Sequence, residues 1–398
     1  MKSMSLEQLQ RRFDRLQALQ RRLANPPPTF FVAGGRRYDL PLRAGAAKQC
    51  ADVPQRVLDY MGGFFDGDGC VNIDSSRYRL KITQAQSGSE VLLLFRNVFG
   101  GGIYAQGKTL GMHRAALQWS VGSNSARLAA GRLSQSTCCK YDQLLLAESA
   151  LPDRSRLTIL RALAPSRAVC PSWSYLAGFF DAEGHIRLRY PSSIALQIGQ
   201  KFPHVLHAIQ DFLWCAEIRS SMYTSSSSHL LVVNRTEECK HVLRRLLVAG
   251  LRVKRDTARI SLELTPSNFH HVRSELEKRV GLQSRYKRLT AAGAERAHVI
   301  RTLQAKTREG TATSNIALHR HINPQLMSLQ ATHRLRCAEE RYLLLRADIR
   351  SKLRHEAWIR NLPQMVAQRN TAVLAESPCP VHESHLTAKK EQPRFQPH

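Results

Sequence analysis

"YMGGFFDGDGCVNI" at residues 60–73 returns as "YLAGFFDAEGHIRL" at residues 175–188. Each copy is an apolar stretch interrupted by small residues, closed by an acid and a glycine, and followed by alternating apolar and polar positions. The first part predicts a helix and the second a strand. Gly62 and Gly63, matched by Ala177 and Gly178, are poor helix formers, with Gly costing about 1 kcal/mol against Ala. They do let another backbone come close. Two such helices in one chain predict a pair packed small face to small face about a pseudo-twofold axis. Phe64–Phe65 and Phe179–Phe180 would then turn into the cores of separate halves, and Gly69 and Gly184 would end the helices sharply.

The stretches behind the two copies agree. "YRLKITQ" sets Tyr78, Leu80 and Ile82 against Arg79, Lys81 and Thr83, and "SIALQIGQ" sets Ile194, Leu196 and Ile198 against Ala195, Gln197 and Gly199. Period two with one apolar face predicts half-buried antiparallel strands. A helix follows in each half (89–99 and 203–213), then two more strands and a closing helical region. The order α-β-β-α-β-β-α occurs twice, so the fold class is α+β with two pseudo-symmetric repeats. Domain boundaries follow at 53–165 and 166–283. Residues 1–52 are a helix with a leucine stripe (Leu6, Leu9, Phe13, Leu16, Leu19, Leu23), docked on the main body, stopped by "NPPP" and followed by a connector over 29–52. Residues 284–398 are a basic helical extension: 270–362 holds 19 Lys or Arg against 8 Asp or Glu. The last stretch, "ESPCPVHESHLTAKKEQPRFQPH", has the composition of a disordered tail.

The chain of 398 residues carries 59 Lys and Arg against 31 Asp and Glu, a net charge of +28. An excess this large favours a polyanionic partner. Membrane is the weaker reading, because no apolar run nears the ~20 residues a spanning helix needs. The start has no apolar signal core, and its Glu7 and Asp14 argue against an acid-poor transit peptide. An organelle (mitochondrion or chloroplast) and the nucleus both stay open as intracellular destinations. Nine scattered cysteines without a CxxC pair suit a reducing compartment. Cys379, His382 and His385 have loosely ligand-like spacing but no second half-site, and read as tail rather than a zinc site.

Asp68 and Glu183 close the two motif helices. If those helices cross in parallel, the carboxylates meet, and like charges so near repel unless cations lie between them. An acid pair beside a basic surface is what Mg²⁺- or Mn²⁺-assisted phosphodiester hydrolysis requires. An interface alone would account for the glycines but not for an acid at both ends.

"MGGFFDGDG" at 61–69 and "LAGFFDAEG" at 176–184 resemble the motif of the single-chain, two-motif LAGLIDADG homing endonucleases, over roughly residues 53–283. The resemblance implies that Asp68 and Glu183 are catalytic and bind metal, while Asp66 and Asp181 are structural. It also implies that Gln84, Gln200, Lys140 and Lys254 organise the catalytic waters. Their offsets from the acids agree between halves to within one residue. The resemblance further implies a saddle of two antiparallel sheets in the major groove of double-stranded DNA. Arg77, Arg79, Lys81, Gln118, Arg187, Arg189, Gln197 and Tyr223 would contact a long asymmetric or pseudo-palindromic site. Arg and Lys suit guanine and Gln suits adenine. A single chain would act as a monomer. Glu183 in place of aspartate adds a methylene and moves the carboxylate by about one bond length, which makes nicking conceivable. Gly62 in place of alanine is expected to be harmless. Rival functions are an intron RNA maturase and a domesticated, non-cleaving DNA-binding protein; acids retained in both motifs favour the nuclease.

Overall fold

The computed structural model describes residues 4–375 apart from 26, 46–52, 108, 111–114, 150, 168–170, 280–285, 287 and 313–315. The tail and the Cys379 cluster lie outside the described residues. The chain divides into two compact units, Met1–Leu345 and Arg346–His398.

Helix α1 (Leu6–Arg22) starts at a capping box, in which the Ser5 hydroxyl accepts from the Gln8 N–H and the Gln8 side chain accepts from the Ser5 N–H. It docks as expected. Leu9 is buried, Phe13 meets Tyr286 edge-on, and the Gln20 amide donates to the Tyr286 hydroxyl at 3.0 Å. A two-residue strand β1 (Ala24–Asn25) follows.

The expected connector is structured instead. β2 (Phe30–Ala33) and β3 (Arg36–Asp39) form a hairpin, turned by Gly34 and Gly35 at φ of +54° and +73°. Two adjacent positive φ values are what a tight two-residue hairpin turn demands. β4 (Leu42–Gly45) then joins the edge of a larger sheet.

The first half runs α2 (Gln55–Asp68), β5 (Gly69–Asp74), β6 (Arg77–Ala85), α3 (Ser89–Phe99), β7 (Gly101–Ala105), β8 (Thr109–Leu110, paired with β1), β9 (Ala116–Gly122), α4 (Ser123–Ser134) and α5 (Tyr141–Ser149). Helix α6 (Arg154–Ala162) leads to the second half: α7 (Trp173–Glu183), β10 (Gly184–Arg189), β11 (Ser193–Gln200), α8 (His204–Cys215), β12 (Ser221–Thr224), β13 (His229–Val233), α9 (Thr236–Val248) and α10 (Arg255–Leu262). After them come α11 (Phe269–Arg279), α12 (Ala291–Ala312) and α13 (Ile316–Ala375). Among the described residues no helix is long and apolar enough to cross a membrane.

Both halves therefore repeat αββαββα. The second sheet has four antiparallel strands, β10-β11-β13-β12; the first has five, β4-β7-β9-β6-β5, because the supposed connector adds one. Each sheet buries the predicted face. Tyr78, Leu80 and Ile82 join Ile103 and Trp119 under α3, where Phe95 touches the rings of Phe64, Phe65, Phe99 and Trp119. Ile194, Leu196 and Ile198 lie with Phe180, Leu213 and Leu231. Ala195, expected on the open face, is buried too.

The two motif helices touch, and run parallel. A Cβ on Gly63 would collide with the Tyr175 carbonyl oxygen, and one on Gly178 with the Tyr60 carbonyl oxygen while lying 2.8 Å from the Phe64 nitrogen. Further along, a Cβ on Gly67 would run into Ala182. The contact face is thus Gly63 and Gly67 against Gly178 and Ala182, spaced four apart so that both lie on one side of a helix. Gly62 faces elsewhere. Its added Cβ would strike the Ser136 carbonyl oxygen in the loop before α5, so this chain accommodates glycine there and would not accommodate the alanine it replaces. Gly69 and Gly184 have ordinary extended backbones (φ −71° in both). Their glycine is required because the rings of Phe65 and Phe180 cover the Cα, letting helix pass into strand in one step.

Replacing Gly178 by Ala should lower stability by about 1–3 kcal/mol, the usual cost of overpacking a close contact. Gly107→Ala, at a position with open space around it, should stay within about 0.5 kcal/mol of wild type. Urea unfolding of both variants checks this.

Candidate active centre at the helix junction

Asp68 and Glu183 are the last residues of α2 and α7. The strand after each acid folds back through a hairpin, and the two halves share one register: Gly69 pairs with Ile82, and Gly184 with Ile198. Two residues beyond each pairing the returning strand delivers a glutamine beside the acid. The Gln84 amide donates to Asp68 Oδ2, and the Gln200 amide donates to Glu183 Oε1 at 3.2 Å.

The lysines sit at the same helix ends. Lys140 Nζ donates to the carbonyls of Phe65 (2.9 Å), Asp66 (2.8 Å) and Gly67 (2.8 Å). Lys254 Nζ donates to the carbonyls of Asp181 and Ala182, the latter at 3.4 Å. These are carbonyls at the helix C-termini, which lack helical partners and carry the negative end of the dipole. Each ammonium caps its motif helix and places positive charge next to the acids. Burial lowers the pKa of both lysines, opposed chiefly by Asp66 for Lys140 and by Asp181 for Lys254.

Asp66 and Asp181 hold the lysines in place. Asp66 accepts from the backbone N–H groups of Cys138 (2.6 Å) and Lys140 (2.9 Å), and Asp181 from those of Arg252 (2.6 Å), Val253 (3.0 Å) and Lys254 (2.7 Å). Each also takes a hydroxyl from the opposite half. Tyr175 donates to Asp66 at 2.7 Å, and Tyr60 donates to Asp181 at 2.7 Å. Burial raises both aspartate pKa values against these bonds, and raises those of the two tyrosines as well. Ser172, which caps α7, adds another bond across the junction by donating to Asp59 at 2.9 Å.

The six residues expected to be catalytic are therefore gathered at one junction. Tyr60 and Tyr175 were missed, although both open the repeated motif eight positions before its terminal acid. That matched pair was the available signal.

Burial and like charge act on the acid pair against the two lysines. Burial raises the pKa of Asp68, with Lys254 and Lys140 opposing; burial and then the Asp68 charge raise that of Glu183. Among the described residues no group of three or more His, Cys, Asp or Glu is gathered as a metal site. Two carboxylates, with the remaining positions left to water and phosphate oxygens, nonetheless fit Mg²⁺ or Mn²⁺. A divalent ion would also relieve two half-buried like charges.

The eight residues expected to contact DNA fall four to each sheet, all on the face opposite the core. Arg77, Arg79, Lys81 and Gln118 lie on the first sheet, where Arg79 pairs with Asp74 (3.2 Å) and Arg77 donates to Ser123 (3.1 Å). Arg187, Arg189, Gln197 and Tyr223 lie on the second. His185 shares that second face beside Glu183. Burial, then the cations Arg288, Lys254 and Arg187, lower its pKa.

Tyr60→Phe and Tyr175→Phe each leave a buried aspartate short of one hydroxyl. Each should cost about 1.5–3 kcal/mol, the range for hydrogen bonds to charged groups. Denaturant unfolding at neutral pH, with crystal structures of the variants to show that the rings stay in place, measures it.

No family model matches the chain, and no curated protein does. Solved structures similar to it include the LAGLIDADG meganuclease I-CpaMI bound to uncleaved DNA, at 11% identity and a TM-score of 0.40 over 58% of this chain and 97% of that one. I-SmaMI bound to uncleaved DNA target in the presence of calcium ions is similar at 14% identity and a TM-score of 0.37, over 55% and 96%. The LAGLIDADG meganuclease I-AabMI bound to uncleaved DNA is similar at 11% and 0.37, over 56% and 93%. Likeness at this level carries no functional weight; the chemistry follows from the residues at the junction.

Proposed function

We propose that the chain is a site-specific, metal-dependent DNA endonuclease of the homing type, hydrolysing one phosphodiester bond in each strand of a duplex. The observation that carries this reading is the doubled centre: two acids at the touching ends of parallel helices, each with its own glutamine and lysine, between two sheets whose open faces carry Arg and Lys. Asp68 and Glu183 would hold the divalent ions. When bound, such ions polarise a phosphoryl oxygen and stabilise the attacking and leaving oxygens. Gln84 and Gln200 fix the carboxylates and would help to orient the attacking water. Lys140 and Lys254 would place positive charge at the half-buried centre, where charge on the pentacoordinate phosphate develops. The outward arginines and lysines would hold the phosphate backbone and read base edges. One chain supplies both centres, so a monomer suffices. Unlike halves imply an imperfect palindrome, and Glu183, longer by one methylene, would make the two strand cuts unequal in rate.

The test is incubation of the full chain with Mg²⁺ and a plasmid bearing the intronless insertion locus. Wild type should linearise it. Asp68→Asn and Glu183→Gln should each slow cutting by about 100-fold or more, since metal assistance is worth several kcal/mol. Plasmid left intact by wild-type protein that nonetheless binds it tightly would refute hydrolysis and leave a DNA-binding protein.

A further inference from the structure

A cavity of about 830 Å³ opens beside Gln84 and Lys254 and runs along β10 to a wall built by α11, α12, Arg288 and Leu289. Seven of its lining residues are Arg or Lys and none is Asp or Glu. Arg187 and Arg189 come from the open face of β10; Arg273, Arg279, Arg288 and Arg301 come from beyond the duplicated fold. Acids outside the lining neutralise only part of this charge. Arg273 pairs with Glu277 at 3.3 Å and Arg279 with Glu275 at 3.8 Å. Among the described residues Arg187, Arg189, Arg288 and Arg301 have no ion pair. Burial and then the Arg273 charge lower the Arg288 pKa, with Glu277 opposing.

Bringing that many cations together is unfavourable unless something anionic lies among them. The volume alone would suit a small anion, since ligand sites run about 300–1,000 Å³. Two features favour a polymer. The cavity reaches Gln84, whose amide donates to Asp68, and Lys254, which caps the helix ending in Glu183, and it is lined by Arg187 and Arg189 of the open β10 face. An anion entering there extends away from the centre where a phosphodiester bond would be cut.

We propose that this cavity is a backbone-binding channel for the second half-site, in which Arg288 and Arg301 of the C-terminal extension grip phosphates of the duplex strand leaving the active centre. The assignment rests on the DNA-endonuclease reading. It makes the extension part of the substrate site on the second half.

The experiment is binding of the full chain, in EDTA, to a duplex carrying the insertion locus, across a salt series. Each phosphate contact contributes about 0.9 to the slope of log K against log salt. Arg288→Gln with Arg301→Gln should therefore reduce the slope by about 1–2, weaken binding about tenfold at moderate salt, and remove backbone protection from one half-site only. The charge-retaining pair Arg288→Lys with Arg301→Lys should restore the slope, separating lost charge from misfolding. Arg77→Gln with Lys81→Gln, on the other sheet, serves as the comparison. If that pair weakens binding while the Arg288 and Arg301 pair leaves slope and protection unchanged, the channel is overturned and the DNA reading stands. If wild type shows no duplex binding at all, the DNA reading falls and the channel with it. Unchanged duplex binding together with lost affinity for an RNA stem–loop would overturn the duplex assignment in favour of RNA.

Discussion

Two parallel helices approach so closely that their small residues leave no room for a Cβ, and the rest of the site depends on that contact. Gly63 against Tyr175 and Gly178 against Tyr60 set the distance between the halves. Gly67 against Ala182 carries the contact down to the acids. Glycine inside a helix is locally unfavourable, so the geometry is maintained by what closes around it. Those helices are buried on several sides, with phenylalanine pairs committed to separate cores and the Ser136 carbonyl seated on Gly62.

A second set of constraints turns this proximity into a chemical centre. Asp66 and Asp181 do not face the centre. They gather backbone N–H groups of the loops that carry the lysines, and each takes a tyrosine hydroxyl from the other half. The lysine of one half is thus positioned by an acid that the opposite half helps to satisfy. The lysines in turn cap the helices that end in Asp68 and Glu183. Removing any link leaves a buried charge without its partner, the kind of change that costs most in a protein interior. An acid placed at a buried helix end beside another acid remains tolerable because two ammonium groups are fixed within the same few ångströms.

Much of this was legible in the sequence, for identifiable reasons. The motif copies, the period-two strands and the matched offsets of Gln84, Gln200, Lys140 and Lys254 gave the repeat order and collected the six central residues. What escaped depended on packing. Residues 29–45 carry little periodicity of their own, and β4 is a strand only because the edge of β7 is there to receive it. Of the small residues expected at the helical contact, Gly63 and Gly178 lie there and Gly62 does not, because adjacent glycines do not reveal which of them faces a partner; the four-residue spacing of Gly63 with Gly67 and of Gly178 with Ala182 does. Tyr60 and Tyr175 were visible as a repeated pair, yet a tyrosine at the head of an apolar helix reads as core until its hydroxyl partner is located. The arginine-lined cavity is assembled from β10, α11 and α12, and no local stretch of sequence announces it.

The claim beneath all of this is that Asp68 and Glu183 share one electrostatic environment. A double-mutant cycle on unfolding free energy tests it without substrate or metal, using wild type, Asp68→Asn, Glu183→Gln and the double variant in EDTA at low salt and pH near 8. Each substitution alters bonds of its own to Gln84 or Gln200 and to the lysines, but only the singles remove the same repulsion twice over, so the double should be less stable than the sum of the singles predicts, with a coupling of at least about 0.5 kcal/mol. Effects that add to within the ~0.3–0.5 kcal/mol typical of distant sites would mean that the two carboxylates do not feel each other, and would contradict the account.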